Sequence, residues 1–80
     1  MKTKTVRPLY EIANEIKKDW RPVHNDAKDY LNAMQTLDSI KDNYICDSGY
    51  SIVAYFLNNA RTWTGDTARR IKKELNAMLK

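Results

Sequence analysis

The stretch Ser48 to Ala60, SGYSIVAYFLNNA, is the most apolar in the chain. Ile52, Val53, Ala54, Tyr55, Phe56 and Leu57 run together, with Tyr50 before them and Ala60 after. A surface helix carries one apolar stripe; a segment apolar on most sides suits a helix packed among several neighbours. The stretch therefore reads as the central helix of a small all-α domain. Asp47 or Ser48 offers it an N-cap, and the helix should fade between Asn58 and Arg61. Gly49 in its first turn costs some helix propensity and permits close packing.

Upstream, Asp42 to Cys46 reads as the longest loop. Before it, Ala27, Tyr30, Leu31, Met34 and Leu37 recur at steps of three and four, which predicts a helix over about Asp26 to Leu37. Asn25 or Asp26 is the expected N-cap. Arg21 and Pro22 separate this helix from an earlier one, Pro8 to Trp20, whose stripe is Leu9, Ile12, Ala13, Ile16 and Trp20. Pro8 suits a first helical turn, where its missing N–H costs nothing. Downstream, Thr64 is the expected cap of a last helix with Gly65, Asp66 and Thr67 in its first turn. Ala68, Ile71, Leu75, Met78 and Leu79 make its apolar face, and Trp63 stands where an apolar residue staples onto that turn. Trp20 and Trp63 read as core or core-edge residues rather than stacking platforms. No β-branched alternation runs long enough to predict a strand. The expected architecture is all-α: a compact domain of about four short helices, an orthogonal cluster or a bundle, over residues 1–80, with 1–6 frayed.

Eighty residues leave no room for a second core. No apolar run approaches the roughly 20 residues of a membrane span, so no membrane partner is expected. The N-terminus MKTKTVRPLYEIA lacks the apolar centre of a signal peptide. Cys46 is the only cysteine and cannot form an internal disulfide; together these point to the reducing cytoplasm. Charge is segregated: residues 1–21 carry +3, residues 22–60 carry −3 and residues 61–80 carry +4. Such an asymmetry steers partners rather than setting a fold.

The residues give catalysis little to work with. His24, the only histidine, falls in an expected loop and reads as a surface residue without an oriented partner. Cys46 stands beside Asp47, whose charge opposes thiolate formation, and reads as a half-buried structural thiol. One cysteine and one histidine do not make a structural zinc site, the acidic-loop spacing of a calcium site is absent, and no glycine-rich phosphate loop occurs. No cofactor and no metal are expected.

The strongest constellation is cationic. At 100° per residue Arg69, Lys73, Asn76 and Lys80 share one strip of the last helix, flanked by Arg70 and Lys72, with Arg61 just upstream. This ridge suits a nucleic-acid backbone or an acidic protein surface; its bland reading is the solvated face of an amphipathic helix. The central and last helices also suggest a helix-turn-helix, against which stand Asp66 and the position of Gly65. Tyr10, Tyr44 and Tyr50 are candidates for a protein interface, while Tyr30 and Tyr55 lie nearer the apolar stripes.

The segments LYEIANEIKKDW (Leu9 to Trp20), DYLNAMQTLDSIKDNYICDSG (Asp29 to Gly49) and SIVAYFLNNARTWTGDTARRIKKELNAML (Ser51 to Leu79) resemble a family of small proteins carried by phages and integrated mobile elements of Firmicutes. The resemblance implies a non-enzymatic protein that binds and inhibits or regulates a host protein or ribonucleoprotein, an anti-CRISPR role among the options. It assigns no binding residues. The alternative expectation, from the residues, is a DNA- or RNA-binding accessory protein using the basic last helix.

Overall fold

A computed structural model describes residues 6–80. Four helices carry the architecture: α1 (Leu9–Asp19), α2 (Asn25–Met34), α3 (Gly49–Asn58) and α4 (Asp66–Met78). Between α2 and α3 the chain forms a small antiparallel hairpin, β1 (Asn43–Tyr44) and β2 (Asp47–Ser48), with Asn43 opposite Ser48 and Tyr44 opposite Asp47. The all-α expectation therefore holds with one addition. The hairpin replaces part of the expected loop; two-residue strands are too short for any alternation to announce them.

Most element boundaries follow local chemistry. Pro8 occupies the N-cap of α1 without a side chain to cap it. The first amides of α1 are satisfied instead by backbone carbonyls beyond α2: Leu9 N–H donates to Asp38 O at 3.0 Å and Tyr10 N–H to Leu37 O at 2.9 Å. These bonds meet the requirement for paired helix-end donors and fix the start of α1 against the end of α2. The N-cap of α2 is His24, not Asn25 or Asp26: its Nδ1 accepts from Asp26 N–H at 3.1 Å. That helix is also shorter than the expected span, ending at Met34, although Leu37 remains buried in the following turn. Ser48 caps α3 as expected, its Oγ accepting from Ser51 N–H at 3.1 Å. For α4 the cap is Gly65 rather than Thr64, at φ +108°, where a side chain would be strained.

The chain passes back and forth between two ends. The start of α1, the end of α2 and the start of α3 meet through the bonds above and through Tyr50 N–H to Ile40 O at 2.9 Å. Met78 of α4 borders the same region, in a cleft with Leu9, Asp38 and Ile40. At the other end, the last residue of α1 meets the segment entering α4, where Trp63 Nε1–H donates to Asp19 Oδ2 at 2.8 Å. α3 packs chiefly on α2, and α4 chiefly on α1. α4 is therefore not the second helix of a closely paired helix-turn-helix with α3.

The core runs between these ends and contains no buried polar or charged side chain among the described residues. Phe56, Leu9, Ile12, Ile16, Leu31, Met34, Ile71 and Leu75 are its largest fully buried members. α3 contributes Ile52, Val53 and Phe56, but it is not enclosed on all sides: Tyr50, Tyr55 and Asn58 are exposed. Its largely apolar sequence hid an ordinary one-sided burial. Gly49 is buried where α3 begins, and a Cβ there would lie 2.6 Å from Ser39 O and 2.8 Å from Ile40 Cα. Close approach of the backbone, expected from the sequence, explains why no larger residue fits.

Candidate interaction surfaces

The basic face of α4 is only partly available. Arg61, Arg69, Arg70, Lys73, Asn76 and Lys80 are exposed, as the helical spacing implies. Two of these cations are engaged within the molecule: Arg69 with Asp66 one turn earlier, and Arg70 with Glu15 of α1. Asn76 donates through its side-chain amide to Lys72 O at 2.9 Å. Lys72 leaves the ridge altogether. Its ammonium donates to Trp63 O at 2.6 Å and lies 5.8 Å from the centre of that indole, and burial pulls its pKa below the usual lysine value. Arg61, Lys73 and Lys80 have no ion-pair partner among the described residues.

An ion cluster joins α1 to α4. The Arg7 guanidinium donates to both carboxylate oxygens of Glu74, at 3.0 and 2.8 Å, and to Glu15 at 2.9 Å. Glu15 accepts from Arg70 as well. The hydrogen bond from Arg70, joined by that from Arg7, holds the Glu15 carboxyl below its usual range despite partial burial. The Glu74 carboxylate raises the Arg7 pKa further above its already high value. These side chains are only 26 to 32% exposed, so solvent screening is incomplete and the paired geometry favours a small net stabilisation. Arg7 falls just outside α1, and no helical spacing links it to Glu74; of the segment 1–6 expected to be frayed, residues 1–5 lie outside the described residues.

The tyrosines divide. Tyr10 and Tyr50 are exposed, while Tyr44 packs partly against the core. Tyr55 meets Tyr30 at 5.4 Å between ring centres yet stays exposed on its outer side. The hairpin tip carries the sharpest feature. Ile45 has a left-handed backbone, φ +56°, and is 84% exposed. A β-branched residue in that conformation is a genuine outlier, and its apolar side chain gains nothing from burial. Cys46 beside it is exposed, which corrects the expectation of a half-buried thiol: the tight turn carries both tip residues away from the core. Aspartates surround this end. Asp38 and Asp47 are exposed, and Asp42 folds back so that its carboxylate accepts from Asp38 N–H at 3.0 Å and Ser39 N–H at 3.2 Å.

The opposite end is aromatic. Trp63 is buried and stacks on Trp20, with ring centres 5.6 Å apart and planes 11° from parallel. Phe56 meets both indoles edge-on, at 6.3 and 6.4 Å. Trp20 keeps part of its surface accessible and borders a shallow cleft with Lys17, Arg21, Val23 and Lys28. Thus Trp63 is core and Trp20 core-edge. His24 is a cap residue exposed to solvent, with Asp26 Oδ2 3.9 Å from its Nδ1. Among the described residues no group of three or more His, Cys, Asp or Glu is placed to hold a metal ion. Among the described residues no helix is long and apolar enough to cross a membrane. No family model matches the chain, and neither a curated protein nor a solved structure matches it.

Proposed function

We propose that this chain is a non-enzymatic binding protein that occupies a surface of a host protein or ribonucleoprotein through its hairpin end. The carrying observation is Ile45: a left-handed, β-branched residue 84% exposed at the tip of a tight turn. Left-handed backbone disfavours an L-residue by about 1–2 kcal/mol, and asparagine or glycine would suffer less. A feature that costs stability and buries nothing in the free protein makes physical sense where a partner buries it. Tyr50, also exposed, and Asp38 and Asp47 complete the end face. The matching surface is an apolar pocket rimmed by lysine or arginine. A host target, a CRISPR effector among the options, follows if the chain belongs with the small phage and mobile-element proteins that its segments resemble.

The test is comparative capture from nuclease-treated host lysate with wild type and Ile45→Asn. The variant should fold at least as stably as wild type and lose the protein that wild type enriches. Equal capture by the two proteins would refute this use of the hairpin. The alternative, nucleic-acid binding by α4, is left with Arg61, Lys73 and Lys80, because Arg69, Arg70 and Lys72 have contacts within the molecule. It requires that Lys73→Glu with Lys80→Glu abolish a salt-sensitive interaction.

A further inference from the structure

We infer that the cleft at the tryptophan end is a stacking site for one nucleotide unit of a single-stranded nucleic acid. The reasoning starts from Trp20. Trp63 covers one face of its indole and Phe56 abuts it edge-on, so the ring is held rigidly by neighbours that are themselves buried. What remains accessible of Trp20 borders two adjoining lobes of one open trough, of about 730 and 390 Å³. Trp63 occupies one face of the indole, so the base stacks on the accessible part of the other face.

The rim supplies the complementary charge. Lys17, Arg21 and Lys28 line the larger lobe, and Lys28 borders the smaller one too. No aspartate or glutamate lines either lobe. The flanking acids are Asp19, whose carboxylate accepts from the Trp63 indole N–H at 2.8 Å, and Asp26, whose Oδ2 lies 3.9 Å from Nδ1 of His24 on the smaller lobe. Lys17 is steadied by Asn32 and Gln35 at 2.9 and 2.8 Å, whereas Lys28 has no ion-pair partner among the described residues. Asn25 and Asn32 on the lining, with the His24 ring, offer hydrogen bonds to base edges or sugar. Pro22 and Val23 extend the apolar floor beside the indole. A planar apolar group joined to an anion, in an open trough rather than a closed pocket, is the chemistry of a nucleotide within a strand.

This site is independent of the hairpin reading and lies at the other end of the helices. The two tryptophans are the only ones in the chain, so their fluorescence reports the site directly. Titration of the intact protein with a short oligodeoxythymidylate should give saturable quenching. With the two phosphates that flank one nucleotide, affinity should fall about sevenfold between about 50 and 200 mM salt. Arg21→Glu with Lys28→Glu, both exposed positions, should abolish quenching while leaving the helical circular dichroism unchanged. Lys73→Glu with Lys80→Glu, and separately Ile45→Asn, should leave it intact. Thymidine monophosphate should quench more weakly than the strand; equal affinity would assign the site to free nucleotides and overturn the strand assignment. Equal quenching by inorganic phosphate or poly-glutamate would show that only charge is read, and would overturn the proposal. So would unchanged binding by the Arg21/Lys28 variant, or no quenching at about 50 mM salt.

Discussion

The two ends of the molecule are built on opposite terms. At the tryptophan end, Trp63, Phe56 and Trp20 form a continuous aromatic cluster whose polar atom finds Asp19. At the hairpin end, the backbone itself makes the joint: carbonyls of Leu37, Asp38 and Ile40 receive the first amides of α1 and α3, and Gly49 permits the approach. One end is held by side-chain area, the other by main-chain hydrogen bonds and the absence of a side chain. The first tolerates changes of the surface and not of its rings. The second tolerates changes of many side chains and not of backbone geometry.

That contrast is open to direct attack, beginning with the largest effect. Trp63→Ala removes the stacked partner of Trp20 and the acceptor-bound N–H, and should cost about 3–5 kcal/mol in chemical denaturation. Loss of less than about 1 kcal/mol would mean that the aromatic cluster is not the joint of that end. Gly49→Ala should cost about 1–3 kcal/mol, because the new methyl meets backbone at Ser39 and Ile40 rather than a flexible side chain. Ile45→Asn should do the reverse and stabilise by about 1 kcal/mol, read as a higher Tm, since it relieves left-handed strain without unburying anything.

The ion cluster between the ends should have the smallest effect. Glu15→Gln should cost about 0.5–1 kcal/mol at neutral pH, discounted for its partial exposure. The folded-state pKa of Glu15 is depressed, so its contribution is fully present above the usual carboxylate value. It is lost as pH falls through the lower folded value. The difference between wild type and Glu15→Gln should therefore be constant near neutrality and shrink once pH drops below about 4.5. A difference unchanged in strong acid would assign the cost to packing rather than charge.

The helices were largely readable because burial on one side leaves a three-and-four spacing in the chain. Leu9, Ile12, Ala13 and Ile16, or Ala68, Ile71 and Leu75, declare their helices without help from tertiary structure. Ser48 declared its cap in the same local way. What escaped depends on distant or very short-range geometry. His24 caps α2 through a ring nitrogen, outside the usual hydroxyl and carboxamide preferences. Gly65 displaced Thr64 because its own backbone, at φ +108° and ψ 179°, is not helical, so α4 begins only at Asp66. The hairpin is four paired residues long, and the exposure of Cys46 follows from it. On the candidate surfaces, spacing correctly put Arg69, Lys73, Asn76 and Lys80 on the outside of α4. It could not foresee that Glu15 would meet Arg70, that Lys72 would turn onto Trp63, or that the residues around Trp20 would share a trough.

The Arg7–Glu74 pair joins positions 67 residues apart. A loop that long closes only after the intervening helices have already shortened the distance between its ends. We predict that the clamp forms late in folding, after the rate-limiting barrier. Breaking it with Arg7→Ala should quicken unfolding in stopped-flow measurements and leave the refolding arm of the chevron where it was. A clamp of this kind should lengthen the life of the folded state slightly and leave the speed of reaching it unchanged.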